Sequence, residues 1–289
     1  MRKSVKIILC ALAALALAAA ALAAVRIIRH EKDQNEALRE LAEQLIALQE
    51  EKQAAEAVSA SEANISELKD RLTRLEVRAG YADADYRYFA IGNSITVHAP
   101  NEVWWDNAGM AASSAGKDFV HLVDAFLSET YGRTACYPFY FYAWETSPGH
   151  RGETLSLLDP YLDPGLQLVT IQLGENAEDL SAFGQDFEAL IRYVQEKAPS
   201  ARILVIGDFW TREDRDQMKR EAADKTGAEF ISLEEIRDNP AYQAGIGATV
   251  YDAAGEPHTI ENADVAAHPG DSAMQYIADR ITEAIGRKP

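Results

Sequence analysis

Residues 166–173 read LQLVTIQL, a mostly apolar run bounded by Pro164-Gly165 before it and Gly174 after it. A short run of this kind is typical of a strand buried on both faces of a sheet. Residues 201–206, ARILVI, form a second such run. Between the two runs lies a helical stripe of large apolar side chains: Phe183, Phe187, Leu190, Ile191 and Val194. A buried strand, a helix and another buried strand predict a parallel sheet covered by helices.

The same alternation extends through residues 81–289, which we expect to form the globular domain. Further strands are predicted at 86–91, 135–143 and 229–232, and further helices at 117–131, 212–226 and 271–285. Continuously apolar strands that alternate with helices indicate an α/β fold with helices on both faces of the sheet. In such folds the reactive groups lie at the carboxyl ends of the strands.

The first thirty residues have a different composition from the rest of the chain. Residues 7–25 carry no charge, and basic residues flank them on both sides. As a helix this run would be about 28 Å long, close to the roughly 30 Å hydrocarbon thickness of a bilayer. We expect residues 1–30 to be an uncleaved single-pass anchor in the cell membrane, with the domain outside the cytoplasm. A cleaved signal peptide, leaving a secreted protein, is the alternative.

Residues 31–80 predict a helical coiled-coil stalk that ends at Gly80. Two blocks have the 3-4-3 spacing of a leucine seam: Leu38, Leu41, Leu45 and Leu48, then Ile65, Leu68, Leu72 and Leu75. The blocks are out of frame, and an Ala- and Ser-rich stretch joins them. We therefore expect weak homo-oligomerisation, with a single solvated helix that acts as a spacer as the alternative.

Charge and cysteine content exclude several classes of function. Lys plus Arg number 28 and Asp plus Glu number 46, so the formal net charge is −18. This charge repels phosphate, and we expect no nucleic-acid partner. The two cysteines are Cys10, in the apolar N-terminal run, and Cys136. An intramolecular disulfide framework and a multi-cysteine zinc site are therefore excluded, and no metal-ligand spacing is present.

Three short segments follow predicted strands or precede the last helix. Gly92-Asn93-Ser94 leaves the strand at 86–91, and Gly174-Glu175-Asn176 leaves the strand at 166–173. His268-Pro269 precedes the helix at 271–285. A serine on a tight turn is exposed, an asparagine amide is a neutral donor, and a histidine can act as a base.

In combination and in this order, these segments resemble the SGNH (GDSL-type) hydrolase superfamily, over residues 86–289. The usual G-D-S block stands here as Gly92-Asn93-Ser94, and the family's second-block glycine is best matched by Gly109. The stretches G-N-S-I-T, W-W, G-M-A-A-S and L-G-E-N are similar to a bacterial, membrane-anchored subgroup. The resemblance implies a three-layer α/β/α, flavodoxin-like sandwich with a parallel sheet of about five strands.

The resemblance also implies roles for particular residues. Ser94 would be the nucleophile and His268 its base, and no cofactor would be needed. The N–H groups of Ser94 and Gly109 and the amide of Asn176 would bind the oxyanion. The family places an aspartate three residues before the histidine, whereas this chain has Val265 there and Asp264 one residue earlier. Asp264 could orient the imidazole through a bulge, or a backbone carbonyl or water could do so instead.

These roles predict a serine ester hydrolase that acts through an acyl-enzyme. By analogy and placement, the expected substrate is an ester-bearing carbohydrate of the cell envelope or of extracellular glycans, with O-acetyl as the acyl group. Trp104, Trp105 and His98 are the candidate substrate-binding residues, since indole rings stack on sugar faces and His98 follows the nucleophile turn. The alternatives are an O-acyltransferase with the same site and a non-catalytic carbohydrate-binding or scaffold protein.

Overall fold

The computed structural model describes residues 62–286, with side chains from residue 68. The predicted anchor, residues 1–30, and most of the predicted stalk lie outside this range. Within it, no helix is long and apolar enough to cross a bilayer. The chain divides into two units at the boundary between Leu75 and Glu76, and the second unit carries the sheet described below.

The main sheet has five parallel strands in the order β2-β1-β3-β4-β5. Their bounds are Tyr86–Gly92 for β1, Thr134–Tyr140 for β2, Leu168–Gln172 for β3, Arg202–Ile206 for β4 and Glu229–Ile231 for β5. The expected α/β fold with a five-stranded parallel sheet is confirmed. A second, antiparallel sheet pairs β6, Thr249–Tyr251, with β7, Pro257–Thr259, and the sequence analysis did not predict it.

Eight helices are found within residues 62–286. They are α1 (Glu62–Ala82), α2 (Phe119–Tyr131), α3 (Tyr142–Glu145), α4 (Arg151–Thr154), α5 (Phe183–Lys197), α6 (Glu213–Thr226), α7 (Ala263–Ala266) and α8 (Asp271–Gly286). Short 3₁₀ turns lie at Ala115–Lys117, Leu155–Leu158 and Pro240–Tyr242.

Strand alternation divides the core into two layers. In β1, Phe89 and Ile91 face one layer, whereas Tyr88 and Ala90 face the other, because successive side chains of a strand point to opposite sides. The first layer is closed by α5 and α6, and the second by α2 and α8. The result is an α/β/α sandwich in which both faces of the sheet are buried.

Most predicted boundaries lie within one or two residues of the observed ones, and the largest difference is at the end of β2. The strand expected at 135–143 ends at Tyr140, and α3 follows almost at once. The helix expected to end at Gly80 continues to Ala82. Gly80 is needed for close packing, since a Cβ atom there would collide with the hydroxyl of Tyr137.

The strand order places a topological switch point at the carboxyl edge of the sheet. Strand β1 pairs with β2 on one side and with β3 on the other, so that Gly92 is in register with both Tyr140 and Gln172. The connections that leave β1 and β3 therefore diverge to opposite faces. In doubly wound sheets this switch point is where ligands bind.

Candidate active site

Ser94 lies on the turn that follows β1. The carbonyl oxygen of Asn93 accepts from the N–H groups of Thr96 and Val97, each at 3.0 Å, which closes the turn. Gly92 permits this tight path, because a Cβ atom there would overlap the side chain of Thr96. The turn leaves Ser94 half-buried at the carboxyl edge of the sheet.

His268 reaches Ser94 from the loop between α7 and α8. Its Nε2 atom lies 2.9 Å from the Ser94 hydroxyl oxygen. Its Nδ1 atom lies 2.7 Å from the backbone carbonyl oxygen of Asp264. A carbonyl can only accept, so Nδ1 carries the proton and the Nε2 lone pair faces the serine. This tautomer is the one required to accept the hydroxyl proton.

The surroundings of His268 favour its neutral form. The indole of Trp210 meets the imidazole edge to face at 5.0 Å, and its N–H donates to the carbonyl of Ala267 at 3.2 Å. Burial and, to a smaller extent, the nearby His98 lower the pKa of His268 to about 4, although the hydrogen bond that Nδ1 donates to the carbonyl of Asp264 opposes this shift. The imidazole is therefore an unprotonated base at neutral pH.

Asp264 contacts His268 through its backbone rather than through its side chain. The contact to Nδ1 is made by the carbonyl oxygen, and the side chain is exposed. Of the alternatives left open by the sequence, the structure therefore shows the backbone carbonyl as the group that orients the imidazole.

Asn176 lies on the loop after β3, where Glu145 holds it. The Asn176 side-chain amide donates to Oε2 of Glu145 at 2.7 Å. The other carboxylate oxygen of Glu145 accepts from the N–H of Gly174 at 2.5 Å and from the Asn93 amide at 3.2 Å. One hydrogen of the Asn176 amide is thus occupied, and the second has no acceptor among the described residues.

Gly109 does not present a free N–H group. Its N–H donates to the buried carboxylate of Asp118 at 2.9 Å. The next N–H, that of Met110, donates to the carbonyl of Ser94 at 2.7 Å. The Met110 N–H thus joins this loop to the nucleophile turn, and the predicted oxyanion role of the Gly109 N–H is not what the geometry shows. The N–H of Ser94 has no acceptor within residues 62–286 and stays available.

The three predicted substrate-binding residues are placed differently. Trp104 is only 1% exposed, and its indole N–H donates to the carbonyl of His98, so it packs in the core. Trp105 stacks on His258 of β7 with ring centroids 4.7 Å apart. His98 is half-buried and meets the ring of Tyr140 edge to face at 5.0 Å.

Tyr140 and Tyr142 form an exposed aromatic pair beside His98. Tyr140 is 39% exposed and Tyr142 is 42% exposed, and their parallel rings lie 5.8 Å apart. Tyr140 is the last residue of β2 and pairs with Gly92, two residues before Ser94. The pair is therefore at the active-site edge of the sheet.

Three polar or aromatic residues of the site were not predicted from the sequence. They are Glu145, Asp118 and Trp210, which contact Asn176, Gly109 and His268 respectively. The one available signal was an isolated acid, Glu145, at the end of an aromatic run. No group of three or more His, Cys, Asp or Glu side chains that could hold a metal ion is found within residues 62–286.

No protein-family model and no curated protein sequence matches the chain. Among solved structures, it is similar to a two-domain esterase active on acetylated mannans, with 15% identity and a TM-score of 0.48 over 75% of this chain. The chain spans 56% of the length of that esterase.

Two further solved structures show a similar likeness. One is a family two carbohydrate esterase from Clostridium thermocellum, with 16% identity and a TM-score of 0.46 over 71% of this chain and 64% of that one. The other is the psychrotrophic esterase EstA from Pseudoalteromonas sp., with 14% identity and a TM-score of 0.44 over 70% of this chain and 97% of that one. Identities this low concern the fold and assign no activity to the chain.

Proposed function

We propose that the chain is a serine ester hydrolase of the SGNH superfamily, with Ser94 as nucleophile and His268 as general base. The observation that carries this proposal is the 2.9 Å contact between the Ser94 hydroxyl and Nε2 of a neutral, oriented His268. A serine hydroxyl is a weak nucleophile until a base removes its proton, and this contact supplies the base.

The reaction follows from these atoms. The Ser94 oxygen attacks the ester carbonyl while Nε2 takes the hydroxyl proton. The alcohol then leaves with that proton, and the acyl group stays on Ser94. Water attacks the acyl-enzyme, gives a proton to Nε2, and releases the carboxylic acid with Ser94 restored. The N–H of Ser94 and the amide of Asn176 are the donors available to the oxyanion, and such donors contribute about 10²- to 10³-fold each.

The proposed substrate is an O-acetylated carbohydrate. Tyr140 and Tyr142 support this choice, because flat exposed rings at this edge of the sheet suit stacking on a sugar face, and the half-buried His98 packs beside Tyr140. Aromatic rings combine a large apolar face with a polar tip, as a sugar ring requires. Trp105, which is half-buried and stacks on His258, remains a candidate, whereas Trp104 is too deeply buried for contact with a ligand.

The test uses the full-length chain with two substrates, an aryl acetate and an acetylated oligosaccharide. We expect acetate release from both, and Tyr142→Ala should raise KM at least fivefold for the sugar ester alone. Tyr131→Ala is the matched control, because Tyr131 is 44% exposed but stacks on Tyr86 at the amino end of β1. Acetyl transfer to an added sugar would show that the chain is a transferase. No turnover of either ester would contradict the esterase proposal and favour the alternative of a binding protein.

Placement at the membrane is a separate part of the proposal. We propose that residues 7–28 remain attached as an anchor and that residues 31–79 form a weakly associating stalk outside the cytoplasm. The support is the uncharged apolar run that leads into a leucine-patterned helix. Fractionation with N-terminal sequencing tests it, and a soluble mature chain that starts near Ala24 would contradict it.

A further inference from the structure

Glu145 is a buried carboxylate with an unusual set of partners. It is the last residue of α3 and only 1% exposed. Four N–H groups point at it: the backbone N–H groups of Gly174 and Asn176 and the side-chain amides of Asn93 and Asn176. No Lys, Arg or His within the described residues forms an ion pair with its carboxylate. Arg151 contacts only its backbone carbonyl and pairs with Asp186 instead.

A buried carboxylate without a counter-ion lowers the stability of the fold, so another benefit must offset this loss. Burial and the nearby carboxylate of Glu175 raise the pKa of Glu145. A negative charge near an oxyanion also opposes its formation. The benefit of Glu145 must therefore come from where it holds its partners, since its charge works against both folding and catalysis.

Those partners belong to the two loops that build the reaction site. Asn93 precedes the nucleophile on the turn after β1, and Asn176 lies on the loop after β3. One carboxylate thus joins both loops across adjacent strands. Because Oε2 binds one amide hydrogen of Asn176 at 2.7 Å, the amide cannot rotate, and its other hydrogen keeps a fixed direction.

We infer that Glu145 is a positioning residue that fixes the Asn176 amide as an oxyanion donor. This inference rests on the proposed esterase function and names a residue through which that site operates. Glu145 touches neither the substrate nor the reacting atoms. It acts only by keeping the nitrogen of the amide, rather than its oxygen, directed toward the developing charge.

Replacement of Glu145 by Gln has a defined consequence. A glutamine amide has one acceptor oxygen, so it cannot accept at both carboxylate positions. If its oxygen accepts from Gly174, its amino group meets the donor of Asn176, and Asn176 must turn its oxygen toward Gln. We expect kcat for an aryl acetate to fall about 100-fold, as it does for loss of one oxyanion donor, with KM changed less than twofold.

The decisive experiment is a double-mutant cycle on the full-length chain with Glu145→Gln, Asn176→Ala and the double variant. If Glu145 acts through Asn176, adding Glu145→Gln to Asn176→Ala should lower kcat less than threefold further. Glu178→Gln, an exposed change on the same loop, should leave kcat unchanged. If Glu145→Gln does not fold, Glu145→Asp enters the same cycle with the same criterion.

The outcomes separate this inference from the proposed function. The role of Glu145 would be overturned if the losses in kcat of the two single variants multiply in the double variant, or if Glu145→Gln raises KM without lowering kcat. Neither result would contradict the proposed esterase function. A wild-type chain without esterase activity would overturn both.

Discussion

The imidazole of His268 is oriented by the backbone carbonyl of Asp264, which lies 2.7 Å from Nδ1, and not by the carboxylate of that residue. A carbonyl fixes the tautomer and the ring as a carboxylate would, but it brings no negative charge to stabilise an imidazolium. In the proposed mechanism the reacting groups are therefore a serine–histidine pair, in which a hydrogen bond to a backbone carbonyl orients the imidazole without a third acid.

Asp264→Ala should leave most of the activity in place. The substitution keeps the carbonyl that binds Nδ1 and removes only an exposed carboxylate. We expect kcat/KM for an aryl acetate to fall less than about tenfold, whereas loss of a true triad acid costs about 10⁴-fold. A fall of several orders of magnitude in a folded Asp264→Ala chain would show that the carboxylate takes part in the reaction.

The pH dependence of activity should reflect the lowered pKa of His268. His268 must be neutral to accept the proton of Ser94, and burial lowers its pKa to about 4. Activity should thus persist as the pH falls through 6.5, the ordinary value for histidine, and decline only near pH 4. The profile of kcat/KM against pH measures this, and an acid limb near pH 6.5 would contradict it.

Two histidine variants test whether His98 contributes to the lowered pKa of His268. His98 repels the protonated form of His268, so His98→Gln should move the acid limb toward higher pH. His150→Gln, which alters an exposed histidine paired with Glu153, should leave the limb in place.

Asp118 should be important for stability. Its buried carboxylate caps α2 through the N–H of His121 and also accepts from the N–H of Gly109. Asp118→Ala removes the cap, worth about 1 kcal/mol, and leaves a buried N–H unsatisfied, which costs roughly 1–3 kcal/mol. Chemical denaturation should show a combined loss of about 2–4 kcal/mol. Asp118→Asn keeps one acceptor and should lose less, and equal stability of Asp118→Ala and wild type would refute the role.

The strands and the order of the reactive segments could be predicted from local sequence. Runs such as 166–173 are mostly apolar because both faces of the strand are buried, and that burial is visible in composition alone. Ser94, Asn176 and His268 stand next to strand ends or helix starts, so chain order placed them at one edge of the sheet. The structure brings Ser94 and His268 together as expected.

The side-chain contacts that packing decides could not be predicted in this way. The N–H of Gly109 donates to Asp118, and the indole N–H of Trp104 donates to the carbonyl of His98. Neither contact can be recognised from the local sequence. Glu145 followed aromatic residues that indicated a strand, yet a helical turn begins at Tyr142 and carries it beneath Asn176. Such partners are fixed by packing, which a single sequence does not record.

The asparagine in place of the usual aspartate at position 93 has a structural reason. Its buried amide donates to both Glu145, at 3.2 Å, and Glu175, at 2.9 Å. Asn93→Asp would set a third carboxylate against two others and should cost at least about 3 kcal/mol at pH 7, measured by denaturant unfolding. Asn239→Asp, which keeps a capping oxygen at an exposed site, is the control and should be near neutral. Equal stabilities of the two variants would exclude this explanation.

The nucleophile itself is tested most directly by covalent labelling. A p-nitrophenyl alkylphosphonate transfers its phosphorus to the attacking oxygen and releases p-nitrophenolate, which can be counted. The full-length chain should release one equivalent and carry the added mass on the peptide that contains Ser94. Ser94→Ala should not react, and His268→Ala should react at least about 100-fold more slowly, since the hydroxyl keeps its proton. Labelling of Ser94→Ala at the wild-type rate, or an adduct on any other residue, would contradict the assignment of Ser94 as the nucleophile.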